Sequence, residues 1–161
     1  MKKVQQSFEY LQCDDLQFLA PEDAALLVHA QQSVIHAYAP YSKFRVAAIV
    51  KLDNGETVTG TNQENASYPV GICAERTALS AASSLYPGVG IEAIAVSYQN
   101  EQGESTVPIS PCGICRQTLA EYEQRQHKPI RIILGGQTGP VWLINSVLDI
   151  LPFSFSADSM K

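Results

Sequence analysis

Apolar residues first recur with helical spacing after Pro21-Glu22-Asp23, at Leu27, Val28, Val34, Ile35 and Tyr38, and the polar Gln31 is the one break in that stripe. Proline in the first turn, with two acids at the positive end of the helix dipole, marks the start. Ala39-Pro40-Tyr41-Ser42 ends it, because a residue before proline is pushed out of the α region. The stretches Phe44 to Leu52 and Glu56 to Gly60 flank Asp53-Asn54-Gly55, and Asn-Gly between apolar runs predicts a hairpin. Thr61 to Ile72 reads as loop, Cys73 to Ser84 as an alanine-rich helix, and Ile91 to Tyr98 as a strand of the buried type. Gln99 to Ser110 is polar, contains Gly103 and Pro108, and reads as loop. A helix from about Cys112 to Gln126, strands at Ile130 to Leu134 and Val141 to Ile144, and a short terminal helix over Asn145 to Leu151 follow. Residues 1–20 alternate only weakly and carry no assigned element. This order predicts a mixed sheet with helices covering its faces.

Composition narrows the class without changing that picture. The 161 residues, 45% hydrophobic and 17% charged, suit a single globular domain over 1–161, with 1–20 as an extension, and no repeat or linker divides them. A net charge of −5, from 11 basic against 16 acidic residues and no run of Lys or Arg, predicts no nucleic-acid partner. The two lysines at the start have no apolar run behind them, and no stretch approaches the roughly 20 apolar residues of a membrane span. A cytoplasmic protein with no membrane partner is expected.

In such a setting four cysteines point to metal or catalysis rather than to disulfides. Cys73-Ala74-Glu75-Arg76 and Pro111-Cys112-Gly113-Ile114-Cys115 supply three thiols and an acid two residues from the first, while Cys13 reads as a plain small residue. Cys112 and Cys115 can chelate one ion from a single turn, with Cys73 arriving from the other helix. Three protein ligands leave a tetrahedral zinc one open position, the mark of a catalytic rather than a structural site. Helix N-termini favour thiolates. Three thiolates and Zn²⁺ sum to −1, so a compensating cation is expected: Arg76 first, Arg116 second. Glu75 would move protons to and from the water, which makes the chemistry hydrolytic. His29, His36 and His127 lack a ligand context, and Trp142 and Tyr98 read as packing residues.

Cys-Ala-Glu-Arg followed by Pro-Cys-Gly-x-Cys resembles the zinc-dependent cytidine deaminases, in particular the small homotetrameric class with three cysteine ligands. The likeness extends to Ala37-Tyr38-Ala39-Pro40-Tyr41-Ser42-Lys43-Phe44, to Asn62-Gln63-Glu64-Asn65-Ala66, and to Leu151-Pro152 with Phe155, covering about residues 22 to 158. It implies a three-layer α/β/α fold with a mixed five-stranded sheet. It also implies hydrolysis of cytidine, and of 2′-deoxycytidine, with one zinc per chain and a role in pyrimidine salvage. Under it Cys73, Cys112 and Cys115 hold the metal and Glu75 is the proton carrier. Phe44 lies on the pyrimidine face, backbone groups of Ala74 and Ser110 hold the base edge, and Asn62 and Glu64 hold the ribose hydroxyls. Phe155 reaches a neighbouring subunit's site.

The sequence also departs from the family. Arg45-Val46-Ala47-Ala48 stands where proline and glycine are usual, with Arg45 expected at the surface, and Tyr98 to Ser110 is longer than a tight connection requires. Two other functions remain open at this level. One is deamination of a different aminopyrimidine: an antibiotic nucleoside, a free base or a nucleotide. The other is a zinc-stapled binding module, which needs a fourth protein ligand, with Cys13 the spare cysteine.

Overall fold

The strand-forming runs pair into one sheet. In the computed structural model, which describes residues 1–160, the strands are β1 (Leu11–Cys13), β2 (Phe44–Leu52), β3 (Thr57–Thr61), β4 (Ile91–Asn100), β5 (Arg131–Gly135) and β6 (Val141–Ile144). Their spatial order is β1-β6-β5-β4-β2-β3. Every neighbouring pair is antiparallel except β4 and β5, which run parallel. A parallel pair cannot be joined by a hairpin, and α3 (Gly113–Gln126) forms the crossover. α1 (Pro21–Ser33) precedes β2, and α2 (Ala74–Leu85) connects β3 to β4.

Alternation along the strands separates two cores. Val50, Ile94, Val96, Ile132 and Leu134 face Ala78 and Leu79 of α2 and Leu119 and Ala120 of α3. Ile49, Ala93, Ala95 and Ile133 face Leu26, Leu27 and Ala30 of α1. The result is the expected α/β/α layering, with α2 and α3 side by side on one face. Gln31, the polar break in the α1 stripe, donates from Nε2 to the Gly136 and Gln137 carbonyls at 2.9 and 3.3 Å, tying the helix to the loop after β5.

Several boundaries differ from expectation. The sheet has six strands rather than five, because Leu11–Cys13 pairs with β6; Gln12 accepts from the Trp142 indole at 3.0 Å, and Tyr10 meets the same ring edge-on. Residues this short and weakly alternating announce a strand only through the partner they find. The first helix tightens into a 3₁₀ turn over Val34–His36 and stops before Tyr38, whose backbone leaves to bond Asn62 and Glu64. β4 runs on to Asn100, where it pairs with Phe44. The terminal helix reduces to a 3₁₀ turn at Val147–Asp149, capped by Ser146. The Val147 amide is held by the buried Glu123 carboxylate, which also accepts from the Ile130 amide and the Ser146 hydroxyl. The hairpin turn forms as expected, with Gly55 at φ +87°.

Candidate active site

Cys73 and Cys112 are the residues immediately before α2 and α3, both in extended backbone, so two helix N-termini meet at the thiols. Gly60 on β3 permits this approach. A Cβ there would lie 2.5 Å from the Ala74 carbonyl oxygen and 2.3 Å from the Ala78 amide nitrogen, both backbone atoms of α2. The Cys73 and Cys112 Sγ atoms are 3.8 Å apart, and those of Cys112 and Cys115 are 3.5 Å apart. All three Sγ atoms lie within 4.8 Å of one another. Metal–sulfur bonds of about 2.3 Å in a tetrahedron set sulfurs about 3.8 Å apart, so the trio fits a zinc ion. Cys112 is exposed, Cys73 half-buried and Cys115 buried, which leaves the cluster open on one side. Cys13 lies on β1 opposite Val141 and is not in the cluster, and neither is any histidine.

Without a cation the thiols share protons unequally. Hydrogen bonding from Cys115, with smaller help from Cys112 and the Arg76 charge, brings the Cys73 thiol down to about 6 against burial and Glu75. Bonding to Cys73, burial and the Glu75 charge push Cys115 up. Such a set is completed by a divalent cation, which replaces the shared protons. Glu75 is buried, only 5% exposed. Burial raises its carboxyl above the usual range, outweighing hydrogen bonding from its own amide and from the Cys115 thiol.

A second group of residues lies along the edges of β2 and the segment after β3. The Phe44 ring stacks on Tyr98, centroids 4.9 Å apart and planes at 16°. Asn62 continues the ladder where β3 ends: its amide nitrogen donates to the Val46 carbonyl at 3.1 Å, Oδ1 accepts from the Val46 amide at 2.8 Å, and Nδ2 donates to the Phe44 carbonyl at 2.9 Å. That leaves one N–H and one lone pair of its side chain for a ligand. Glu64 Oε2 accepts from the Tyr41 and Ser42 amides at 2.9 and 3.2 Å. Burial opposes ionisation of Glu64, but bonds from the Ser42 hydroxyl and these amides, with the Lys43 charge, hold it below the usual carboxylate range. Tyr41, Ser42, Glu64, Asn65, Tyr68 and Gly71 line an open cavity of about 390 Å³. Gln63 and Ile72 exchange backbone bonds at 3.0 Å in both directions, fastening the Asn62–Glu64 segment to the residue before Cys73.

The structure thus brings the three cysteines and Glu75 together, and links Phe44, Asn62 and Glu64 into a neighbouring group. Ala74 is buried in the first turn of α2, Arg76 follows on that turn, and Ser110 is exposed two residues before Cys112. Arg116, the second candidate for charge compensation, donates from Nε to the Pro111 carbonyl and from Nη1 to the Ile150 carbonyl, both at 2.8 Å. Phe155 is exposed, its carbonyl held by Gln117 of α3 at 2.9 Å. Sequence reasoning passed over Gly60, whose need shows only once α2 lies on β3. It also passed over the edge-to-face pair Tyr41–Tyr68 in the cavity wall, although Tyr41 stands in a segment already singled out.

A three-layer α/β domain with an open three-thiol cluster and a buried acid against it is the frame of a metal-dependent hydrolase. Sequence relatives specify which. The family profile for the cytidine and deoxycytidylate deaminase zinc-binding region matches residues 21–128, and the chain belongs to that family. It is 38% identical over 136 residues to the cytidine deaminase of Halalkalibacterium halodurans, covering 84% of this chain and 96% of that one. It is 41% identical over 145 residues to the cytidine deaminase of Sporosarcina psychrophila, covering 84% and 93%. The crystal structure of the cytidine deaminase from Burkholderia pseudomallei superposes with a TM-score of 0.72 at 37% identity, covering 85% of this chain and all of that one. Among the described residues no helix is long and apolar enough to cross a membrane.

Proposed function

We propose that this protein hydrolyses cytidine, and 2′-deoxycytidine, to the uridine product and ammonia. The observation that supports this reading is the Gln63–Ile72 backbone pairing, which fastens Asn62 and Glu64, two polar residues suited to hydroxyls, to the segment that enters a three-thiol cluster with a buried carboxyl. Zinc held by Cys73, Cys112 and Cys115 would supply a water of lowered pKa, the chemistry of its deaminase class. Glu75 takes a proton from the attacking water and delivers it to ring N3, which makes C4 electrophilic. It then carries a second proton to the departing amine, so that water and cytidine leave as uridine and ammonia. A buried carboxyl with a raised affinity for protons suits both halves of that transfer.

Phe44, stacked on Tyr98, offers an apolar face to the pyrimidine, and backbone groups of Ala74 and Ser110 hold its edge. The free N–H and lone pair of Asn62, with Glu64 Oε1, bind the ribose hydroxyls. Arg76 offsets the excess charge of the three thiolates. The chain assembles as a homotetramer in which the exposed Phe155 reaches a neighbouring site, and it serves pyrimidine salvage in the cytoplasm. Light scattering at micromolar concentration reads the assembly state directly.

Incubation of the purified, zinc-quantified protein with cytidine, deoxycytidine, dCMP and cytosine tests the substrate. Turnover confined to the two nucleosides is expected, and turnover of dCMP or cytosine in their place would overturn the assignment. Glu75→Gln is expected to keep one zinc per chain and lose about 10²–10⁴-fold in kcat, the usual weight of a positioned proton carrier.

A further inference from the structure

Arg45 opens the segment in which this chain departs from the family's usual pattern, and its surroundings give it a task. It is not a free surface cation: its side chain is 31% exposed and pairs through Nε with Glu101, at the end of β4. Its Nη1 donates to the Ala37 carbonyl at 2.9 Å and to the Ile35 carbonyl at 3.3 Å, at the point where the chain leaves the first helix. One planar guanidinium thus joins β2, the β4 turn and the end of the α1 region, a geometry that a lysine's single nitrogen cannot copy. Glu101 is held below the usual carboxylate range chiefly by its bond to Arg45, so the pair is charged near neutral pH.

What surrounds these anchor points is the hydroxyl-binding pair. The two residues flanking Arg45, Phe44 and Val46, are those whose backbone groups hold the Asn62 amide. Ala37, whose carbonyl Arg45 grips, precedes Tyr38. The Tyr38 amide donates to the Asn62 carbonyl at 3.0 Å, and its carbonyl accepts from the Glu64 amide at 2.8 Å. Arg45 therefore fixes both strips of backbone between which Asn62 and Glu64 are suspended, one through its own main chain and one through its guanidinium. We infer that Arg45 is a positioning residue for the ribose subsite, clamping the Ala37–Tyr38 strip against β2 so that Asn62 and Glu64 meet the vicinal hydroxyls together. The inference rests on the proposed role of those two residues.

The test compares kcat/KM for cytidine with that for 2′,3′-dideoxycytidine, which keeps the base and loses both vicinal hydroxyls. In the native zinc enzyme cytidine is expected to be strongly favoured, because a site built for hydroxyls is left with unpaired groups by an analogue lacking them. Arg45→Ala is expected to lower that ratio roughly tenfold, through a higher KM for cytidine, with the dideoxynucleoside changed by less than about twofold. Arg45→Lys keeps a cation for Glu101 but loses the fork, and its ratio is expected to fall between the two. It also serves if the alanine variant does not fold. An equal loss on both substrates, or a native ratio in both variants, overturns the inference and leaves Arg45 a structural residue. A native enzyme that deaminates both nucleosides equally well would instead remove the assignment of Asn62 and Glu64 to hydroxyls, and the positioning role with it.

Discussion

Asn62 and Glu64 look interchangeable as polar residues in a loop, yet their surroundings assign them different weights. Asn62 spends its amide on the β2 edge, so Asn62→Ala removes two strand bonds as well as a ligand contact. It is expected to lower both stability, by about 1–3 kcal/mol in a denaturant titration, and affinity for cytidine. Glu64 is anchored by the exposed Tyr41–Ser42 turn alone, whose two amides donate to Oε2 and whose Ser42 hydroxyl also bonds the carboxylate. Glu64→Gln is expected to leave Tm almost unchanged and to raise KM for cytidine by about tenfold with kcat retained, as for loss of one charged hydrogen bond. Its lowered affinity for protons sets the pH response. The stability that its ionised form contributes is complete above the unfolded carboxylate value of about 4 and is lost only as pH falls through the lower folded value. KM measured from pH 6 to 8 should therefore show no titration from Glu64.

At the scale of elements, the site depends on how closely α2 lies on β3. Gly60 is the contact point, and its neighbours there are backbone atoms of the turn that carries Ala74 and Glu75. Gly60→Ala must push that turn outward. It is expected to cost about 1–3 kcal/mol in unfolding free energy, as overpacking does. Because Cys73 moves with the turn, the variant should also release zinc faster to a chromogenic chelator, and an unchanged release rate would show that the helix adapts elsewhere. β1 acts at the opposite edge. By pairing with β6 it covers a row of backbone donors and acceptors, and the strand left at the rim has only three residues.

For the whole molecule, a zinc ion on the three thiols would be a cross-link between two helices as well as a reagent. Cys73 caps α2, Cys112 caps α3 and Cys115 lies in the first turn of α3, so an ion bound there would join segments 39 residues apart in sequence. Stripping zinc with a chelator should lower Tm by about 5 °C or more, as expected when a tight ligand binds only the folded state. Cys13→Ser should leave both the zinc content and that shift unchanged, since Cys13 lies on β1 outside the cluster.

The three clustered thiols, the acid beside them and most elements were legible in the sequence because each is a local signal. Spacing of two residues puts Cys112 and Cys115 on one helical turn, apolar runs mark β2 and β4, and Asn-Gly marks the hairpin. Signals of this kind arise within one or two turns of chain, where neighbouring residues constrain one another directly. What tertiary structure alone decided depends on partners distant in sequence. Leu11–Cys13 became a strand because β6 offered an edge, and Gln31 was polar because a loop 105 residues away needed a donor. Arg45 found its partners in Glu101 and in carbonyls at the end of the first helix, and Arg116 found its partners in the Pro111 and Ile150 carbonyls. A long polar side chain has no preferred partner until the fold brings donors and acceptors within reach, and its burial then follows from satisfying them.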